Sequence, residues 1–330
     1  MTVPTMPHVI VIVLNWNGAD DTIACVASLR KSNYPHFEIL VVDNGSTDNS
    51  AARIKNVYPD LWMIETGINL GFAGGNNAGI TAALQTDARI IVLLNNDTTV
   101  DPRWLAAFAD EAQRRPSGSV LGGKIFYFDN PEVIWHFGAL WDSKACRLKL
   151  IGRGDDSHSW QQVEPVDHII GCCMWIPRTT FETVGLLEEA FFLNYEETDW
   201  CFSARKLGFS LFSVPTVLIW HKISASFKSR PHNTYFIFRN RRLWLDRQFT
   251  ADERKRILRI AILPEEARAR RKYFLRRLQK IMYRAIGLSY PTEKAEKLKN
   301  AAAALEGLAD YKAGRFGNCP DWILNRCNNR

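Results

Sequence analysis

No apolar run in this sequence approaches the roughly 18 to 20 residues that a bilayer span requires. The longest, Val9 to Leu14 and Ile90 to Leu94, fall far short. The N-terminus has no basic segment ahead of its first apolar run. That run ends at Asn15 and not at a small-residue cleavage site, so no secretory leader is expected. The chain has 7 cysteines, an odd number, and no C-x-x-C pair; Cys172 and Cys173 are adjacent. Reduced thiols in a cytoplasmic setting follow, and a zinc site built from Cys does not. Gly71, Gly74, Gly75 and Gly79 are not spaced as G-x-G-x-x-G, and no G-x-x-x-x-G-K-[ST] occurs. Dinucleotide oxidoreductases and P-loop enzymes are thereby set aside. Internal repeats are absent too, and the only low-complexity tract is Ala301 to Ala304.

What is present is ordinary globular composition over 330 residues, with 46% hydrophobic and 23% charged, enough for one large domain or two smaller ones. Net charge is +7, but unevenly placed. Residues 1–227 carry 17 basic and 25 acidic side chains; residues 228–330 carry 25 basic and 10 acidic. An acidic body therefore bears a basic tail, and the tail's partner should be anionic.

The body alternates strands and helices. Val9 to Leu14, Phe37 to Val42, Leu61 to Ile64 and Ile90 to Leu94 read as strands, the first buried on both faces and the second buried as well. Helices are expected over Asp20 to Lys31, Asn49 to Val57 and the Gly-rich stretch ending near Leu84. This is an α/β domain with a mostly parallel sheet, and ligands of such sheets sit at the carboxyl ends of the strands. Asn15, Asp43 and Asp97 lie at those ends. Further on, Lys124 to Phe128, Leu148 to Ile151, His168 to Ile176 and Leu211 to Trp220 read as strands, the last interrupted by Pro215. Arg178 to Val184 and Glu197 to Leu207 read as helices, and residues beyond Arg230 as helical and basic.

Five ordered pieces then resemble family 2 glycosyltransferases of the GT-A fold. They are Val-Leu-Asn-Trp-Asn-Gly (13–18), Val-Val-Asp-Asn-Gly-Ser-Thr-Asp (41–48), Asn-Leu-Gly-Phe-Ala-Gly-Gly-Asn-Asn-Ala-Gly (69–79), Leu-Asn-Asn-Asp (94–97), and Phe-Phe-Leu-Asn-Tyr-Glu-Glu-Thr-Asp-Trp-Cys (191–201) with His221 downstream. The Gly-Phe-Ala-Gly-Gly-Asn-Asn element resembles the bacterial rhamnosyltransferase-like branch most. The resemblance implies a catalytic domain over 1–227, with a nucleotide-binding half to about residue 100 and an acceptor-side half beyond it. It also implies an inverting transfer of a sugar, rhamnose by preference, from a dTDP- or UDP-sugar. The acceptor would be a saccharide or a polyprenyl-linked glycan of a cell-surface polysaccharide.

Under that resemblance the donor nucleotide is expected at Asn15, Asn17, Asp43, Asn44, Asn69, Gly74, Asn76, Asn95 and Asn96. A carboxylate such as Asp43 suits the imide N–H of uracil or thymine. Asp97 and His221 would hold Mg²⁺ or Mn²⁺, which neutralises the departing diphosphate. The family commonly carries Asp-x-Asp where this chain has Asn95-Asn96-Asp97, so one carboxylate remains. Glu197 would be the general base, the second acid of the Glu196-Glu197 pair, with Glu196, Asp199 and Trp200 on the acceptor side. Trp135, His136, Trp141 and Trp175 are further candidates for stacking on sugars. Leu186-Leu187-Glu188-Glu189 stands where the family usually has Phe-Asp-Glu. The alternative function is a sugar-nucleotide or polysaccharide-binding protein without catalysis. A nucleotidyltransferase is disfavoured, because the first turn lacks a Gly-rich, Lys/Arg-bearing triphosphate loop.

For the tail, a membrane-surface helix over Glu265 to Ile286 competes with a solvated helical subdomain or homo-oligomer contact. No nucleic-acid motif is present. The first reading implies a cytoplasmic protein peripheral to the inner face of the membrane. Arg239-Asn240 could alternatively help hold a diphosphate.

Overall fold

A strand of unbroken apolar residues needs cover on both faces. In the computed structural model, which describes residues 6–223 and 230–324, Val9–Asn15 forms such a strand, β1. Ile10 and Ile12 pack with Leu40, Val42, Ile91 and Leu93 on one side of the sheet. Val9, Val11 and Val13 pack with Val41, Val92 and Leu94 on the other.

The chain then alternates through α1 (Ala19–Leu29), β2 (Phe37–Asp43), α2 (Ser50–Val57), β3 (Trp62–Glu65), α3 (Gly71–Ala83) and β4 (Ile90–Asn95). β1 pairs in parallel with β2 and β4, and β2 with β3. Asn15 lies opposite Asp43, and Leu14 opposite Asn95, so the polar strand ends finish flush. Gly79 on α3 is required by packing: a Cβ there would stand 2.7 Å from Ile12 Cγ2. The helix therefore lies closer to β1 than any side chain would allow.

The rest of the sheet is mixed. β5 (Thr98–Val100), α4 (Trp104–Ala112), β6 (Val120–Tyr127) and β7 (Asn130–His136) follow. After them come β8 (Ala139–Asp142), β9 (Arg147–Leu150), β10 (Glu164–Val166), β11 (Cys173–Pro177), α5 (Arg178–Val184), α6 (Glu196–Lys206) and β12 (Leu211–His221). The sheet has ten strands in the order β10-β12-β6-β11-β4-β1-β2-β3, with β5 added on β12 and β7 on β6. β8 and β9 pair separately.

Three expected strands differ. β6 begins at Val120, ahead of Lys124, because Gly122 and Gly123 interrupt the apolar pattern without interrupting the strand. Ile169 and Val217 fill the space their side chains would take. The strand expected from His168 to Ile176 is only Cys173–Pro177. β12 is continuous through Pro215, because its register on β6 shifts between Val214 and Leu218 and takes the proline off the ladder.

The described residues form two compact units. One holds the residues up to Trp141, Leu148–Glu189 and Glu196–Ile223; the other holds Asp142–Arg147, Ala190–Tyr195 and the chain from 230 onward. The junction expected at 227–228 lies outside the described residues. The second unit contains α7 (Pro231–Gln248), α8 (Ala251–Ile257), α9 (Leu263–Ala285), α10 (Thr292–Lys312) and α11 (Asp321–Leu324), with a π turn at Leu258–Ile262 leading into α9.

Candidate active site

The flush ends of β1 and β2 build a closed polar network. Asn15, fully buried, donates from Nδ2 to Asp43 Oδ2 at 2.7 Å and to Ser46 Oγ at 3.1 Å. Its Oδ1 accepts from Thr22 Oγ1 at 2.8 Å. Asp43 Oδ1 accepts the Ser46 N–H at 3.0 Å, so each carboxylate oxygen has one partner and keeps a lone pair. Asn17 receives Thr47 N–H on its Oδ1 and sends its own N–H to Ser46 Oγ. Asn96 Nδ2 reaches Thr22 Oγ1 at 2.9 Å, tying the end of β4 to the same cluster. Trp16 stands half-exposed beside this network. Ser46 and Thr22 are absent from the residues expected here. For Ser46 the signal was its place three residues after Asp43, the spacing at which a cap-like Asp side chain accepts a backbone N–H.

Asn44 and Asn69 bind the chain itself. Asn44 Oδ1 accepts the Leu70 N–H, and its Nδ2 reaches Gly71 O at 2.9 Å and Asn69 Oδ1 at 3.2 Å. Asn69 Oδ1 also accepts the Gly71 N–H. Together they shape the entry to α3. Asn76 is buried and bonds back to Phe72 O, one turn earlier. Gly74 faces Leu70 and Glu189, where a Cβ would meet Leu70 Cβ at 2.8 Å. The neighbouring Asn77, unremarked in the sequence, holds Leu187 through both its N–H and its carbonyl.

Asp97 and His221 come together. His221 Nε2 lies 2.9 Å from Asp97 Oδ1 and 3.5 Å from Asn95 Nδ2. Burial opposes charge on His221, but Cys172 and Asp97 outweigh it and push the imidazole up to about 10. Asp97 Oδ1 is buried with His221 Nε2 as its ion-pair partner, and His221 Nδ1 is buried without a hydrogen-bond partner. Among the described residues no group of three His, Cys, Asp or Glu gathers as a metal cage. The Asp97 carboxylate fits a cation that takes its other ligands from phosphate oxygens and water, the habit of Mg²⁺; His221 would join it only on giving up the proton it shares with Asp97.

Glu196 and Glu197 open α6. Burial, then the charge on Glu197, raise the Glu196 carboxyl well above the usual carboxylate range. Glu197 lies against Gly171, where a Cβ would stand 3.5 Å from its own Cβ, and 3.8 Å from His168 Nε2. Its Oε2 is buried and unpartnered. One acceptor-side expectation does not survive. Trp200 is a core residue: its indole N–H donates to Gly185 O at 2.8 Å and its ring packs on Phe181. Asp199 is buried in the first turn of α6 with Glu196 and Glu197. Trp175 and His136 are also enclosed, so they offer no face to a sugar. Trp135 instead packs on the His221 ring, at 4.8 Å between centroids.

The model of the family described as Glycosyl transferase family 2 matches residues 9–185, more than half of the chain. The chain belongs to glycosyl transferase family 2. The low-salt glycan biosynthesis hexosyltransferase Agl10 of Haloferax volcanii is 27% identical over 237 residues, 70% of this chain and 73% of that protein. The N-acetylglucosaminyl-diphospho-decaprenol L-rhamnosyltransferase of Mycobacterium tuberculosis is 26% identical over 247 residues, 64% of this chain and 78% of that protein. Among solved structures, the mannosyltransferase PcManGT of Pyrobaculum calidifontis, in complex with GDP-Man and Mn²⁺, matches with a TM-score of 0.55 at 15% identity. That match covers 94% of this chain and 89% of the other. The fold is therefore the GT-A fold, with C-terminal helices in addition.

In this family 2 chain the second unit uses Arg239 and Asn240 structurally. Arg239 is fully buried and donates to Gly317 O, Ala190 O and Phe191 O at 2.6, 3.2 and 2.9 Å. Asn240 Nδ2 donates to Phe191 O, Leu193 O and Asn194 O. The two hold a segment in which Phe192, Asn194 and Tyr195 take left-handed backbone. With its donors spent on carbonyls, Arg239 has no fork to offer a diphosphate, contrary to the expectation from sequence. A cavity of about 750 Å³ in the first unit, lined by Arg103, Glu111, Lys124 and Trp220 among others, contains none of the site residues.

Proposed function

We propose that this glycosyltransferase works with inversion, moving a sugar from a dTDP- or UDP-sugar, dTDP-rhamnose first among them, to a saccharide or polyprenyl-linked acceptor of a surface glycan. One observation carries the reading: Glu197 is largely buried next to Glu196, with its Oε2 left unpartnered. Inversion needs a carboxylate to take the acceptor proton as that oxygen attacks the anomeric carbon. The C1–O bond to the diphosphate breaks, the acceptor O–C1 bond forms, and the proton passes to Glu197. Asp43 receives the imide N–H of the base on its spare lone pairs, with Asn15 and Ser46 fixing the carboxylate. Trp16 offers the base an aromatic face. Asp97 and His221 are the residues to hold Mg²⁺ or Mn²⁺, which when bound stabilises charge on the departing diphosphate.

Support for a divalent ion comes from the neighbour solved with Mn²⁺. Support for a lipid-linked acceptor comes from the mycobacterial relative's name. A binding protein without catalysis stays a second reading on account of the single carboxylate in Asn95-Asn96-Asp97. A melting series with nucleotide sugars, with and without Mn²⁺, tests the reading. A ligand at a hundred times its Kd adds about 2.7 kcal/mol, an increase of roughly 5–10 °C for a domain of this size. dTDP- or UDP-sugars should raise the melting temperature, further with metal. No shift with any nucleotide sugar would contradict it, and release of nucleoside diphosphate from a bound donor would dispose of the non-catalytic alternative.

We further propose that the tail rests on the inner face of an anionic membrane. No helix of the described residues is long and apolar enough to cross one. On α9 and the residue that caps it, Phe274, Ile281, Met282 and Ile286 are 61%, 56%, 65% and 67% exposed. Arg270, Arg277 and Arg284, at seven-residue intervals, flank that stripe. An exposed apolar stripe edged by cations suits a helix lying in the interface plane. Sedimentation with phosphatidylglycerol vesicles but not phosphatidylcholine vesicles is expected, and loss of it in I281E/M282E. Equal recovery with neither vesicle, together with a dimer in solution, would assign the stripe to a second copy.

A further inference from the structure

The structure assigns to His168 a role the reaction has not yet used: we infer that it is a positioning residue that holds the Glu197 carboxylate in line for proton transfer. The inference rests on reading Glu197 as the base. His168 is enclosed, and its backbone is pinned on both sides by Ala139, whose N–H reaches His168 O at 3.0 Å and whose O receives the His168 N–H at 3.1 Å. The ring is not so engaged. Both Nδ1 and Nε2 are buried without a hydrogen-bond partner, and Nε2 faces Glu197 Oε1 across 3.8 Å. Leaving buried polar atoms unmet costs about 1–3 kcal/mol each. An imidazole and a carboxylate stand a fraction of an ångström beyond bonding distance, with capacity to spare on each.

The surroundings keep the ring in place. His136 meets it edge to face, 6.0 Å between centroids. The Nδ1 of His136 accepts the Gly138 N–H at 3.0 Å, which puts the remaining proton of His136 on Nε2. Burial, then His168 and Arg153, push His136 down to about 3, so it stays a neutral wall beside the ring. Gly171 packs close to Glu197: a Cβ there would stand 3.0 Å from Phe72 Cζ and 3.5 Å from Glu197 Cβ. A small rotation of the Glu197 carboxylate closes the gap. His168 Nε2–H then holds one oxygen, and the other is turned to the acceptor hydroxyl. The proton moves from that hydroxyl to Glu197, and His168 keeps its own proton throughout.

The experiment compares H168A, H168Q, E197Q and H168A/E197Q in the full chain. It follows release of nucleoside diphosphate from whichever dTDP- or UDP-sugar the wild type turns over, dTDP-rhamnose first. H168A should lose about 10- to 100-fold in kcat, part of the 10²–10⁴ that a general base supplies, with donor KM and melting temperature near wild type. H168Q, whose amide N–H can replace the imidazole N–H, should recover most of that loss. The double variant should be no slower than E197Q alone, because both changes act on one proton transfer. Wild-type kcat in H168A, or losses that multiply in the double variant, would overturn the role of His168. A fully active E197Q would instead overturn the base assignment beneath it.

Discussion

Replacing Asn15 by Asp changes no volume and reverses one interaction. Asn15 Nδ2 donates to Asp43 Oδ2 across 2.7 Å, both groups buried. In N15D two carboxyls share that distance, and like charges so close cannot both ionise. One must keep its proton at neutral pH. Holding a carboxyl of ordinary pKa about 3.9 protonated at pH 7 costs about 1.4 kcal/mol per unit, or roughly 4 kcal/mol in all. The folded pKa of the pair is raised above its unfolded value. The penalty is therefore absent below about pH 4, grows through pH 5 to roughly 1.5 kcal/mol, and is largest at pH 7. Urea denaturation of N15D and wild type at pH 5 and pH 7 measures it directly. With native stabilities of about 5–15 kcal/mol, a loss of 4 is plainly resolved. Equal stability of N15D and wild type at pH 7, or a loss that does not shrink on acidification, would refute the network around Asp43.

Other perturbations follow from the same geometry. Thr22→Val keeps shape but removes the hydroxyl that joins Asn15 to Asn96; denaturation should show a loss of about 1–2 kcal/mol. Gly79→Val forces a side chain into the 2.7 Å gap beside Ile12 and should cost about 1–3 kcal/mol by overpacking, read as a lower melting temperature. Arg239→Ala removes a buried cation that donates to three carbonyls, leaving Gly317 O without its donor, and should cost about 3–5 kcal/mol. Arg239→Lys should recover only part, since an ammonium lacks the guanidinium's planar fork; amide exchange in α7 and α10 reads both.

The sheet was legible where its chemistry was local. β1, β2 and β4 are apolar runs, and their flush polar ends put Asn15, Asp43 and Asn95 where a parallel sheet binds ligands. Motif order identified the family. What sequence could not show was what each polar side chain was spent on. Asn44 and Asn69 look like ligand contacts on either side of a glycine-rich loop but bond chiefly to that loop's backbone. Trp200 follows an acidic pair, yet helical geometry turns it into the core. Arg239 looks like a diphosphate fork but is committed to carbonyls that only the fold brings near. His168 belongs to no recognisable motif. Its position beside Glu197, 29 residues later in the chain, depends on the antiparallel bridge to Ala139 and on the entry to α6.

The central claim is that Glu197 takes the acceptor's proton. It is tested most directly by turnover of the wild type's own nucleotide-sugar donor in E197Q, a change that keeps shape and removes basicity. A fall in kcat of about 100-fold or more is expected, with the donor-induced rise in melting temperature unchanged. An E197Q protein that binds donor and turns it over at the wild-type rate would contradict it.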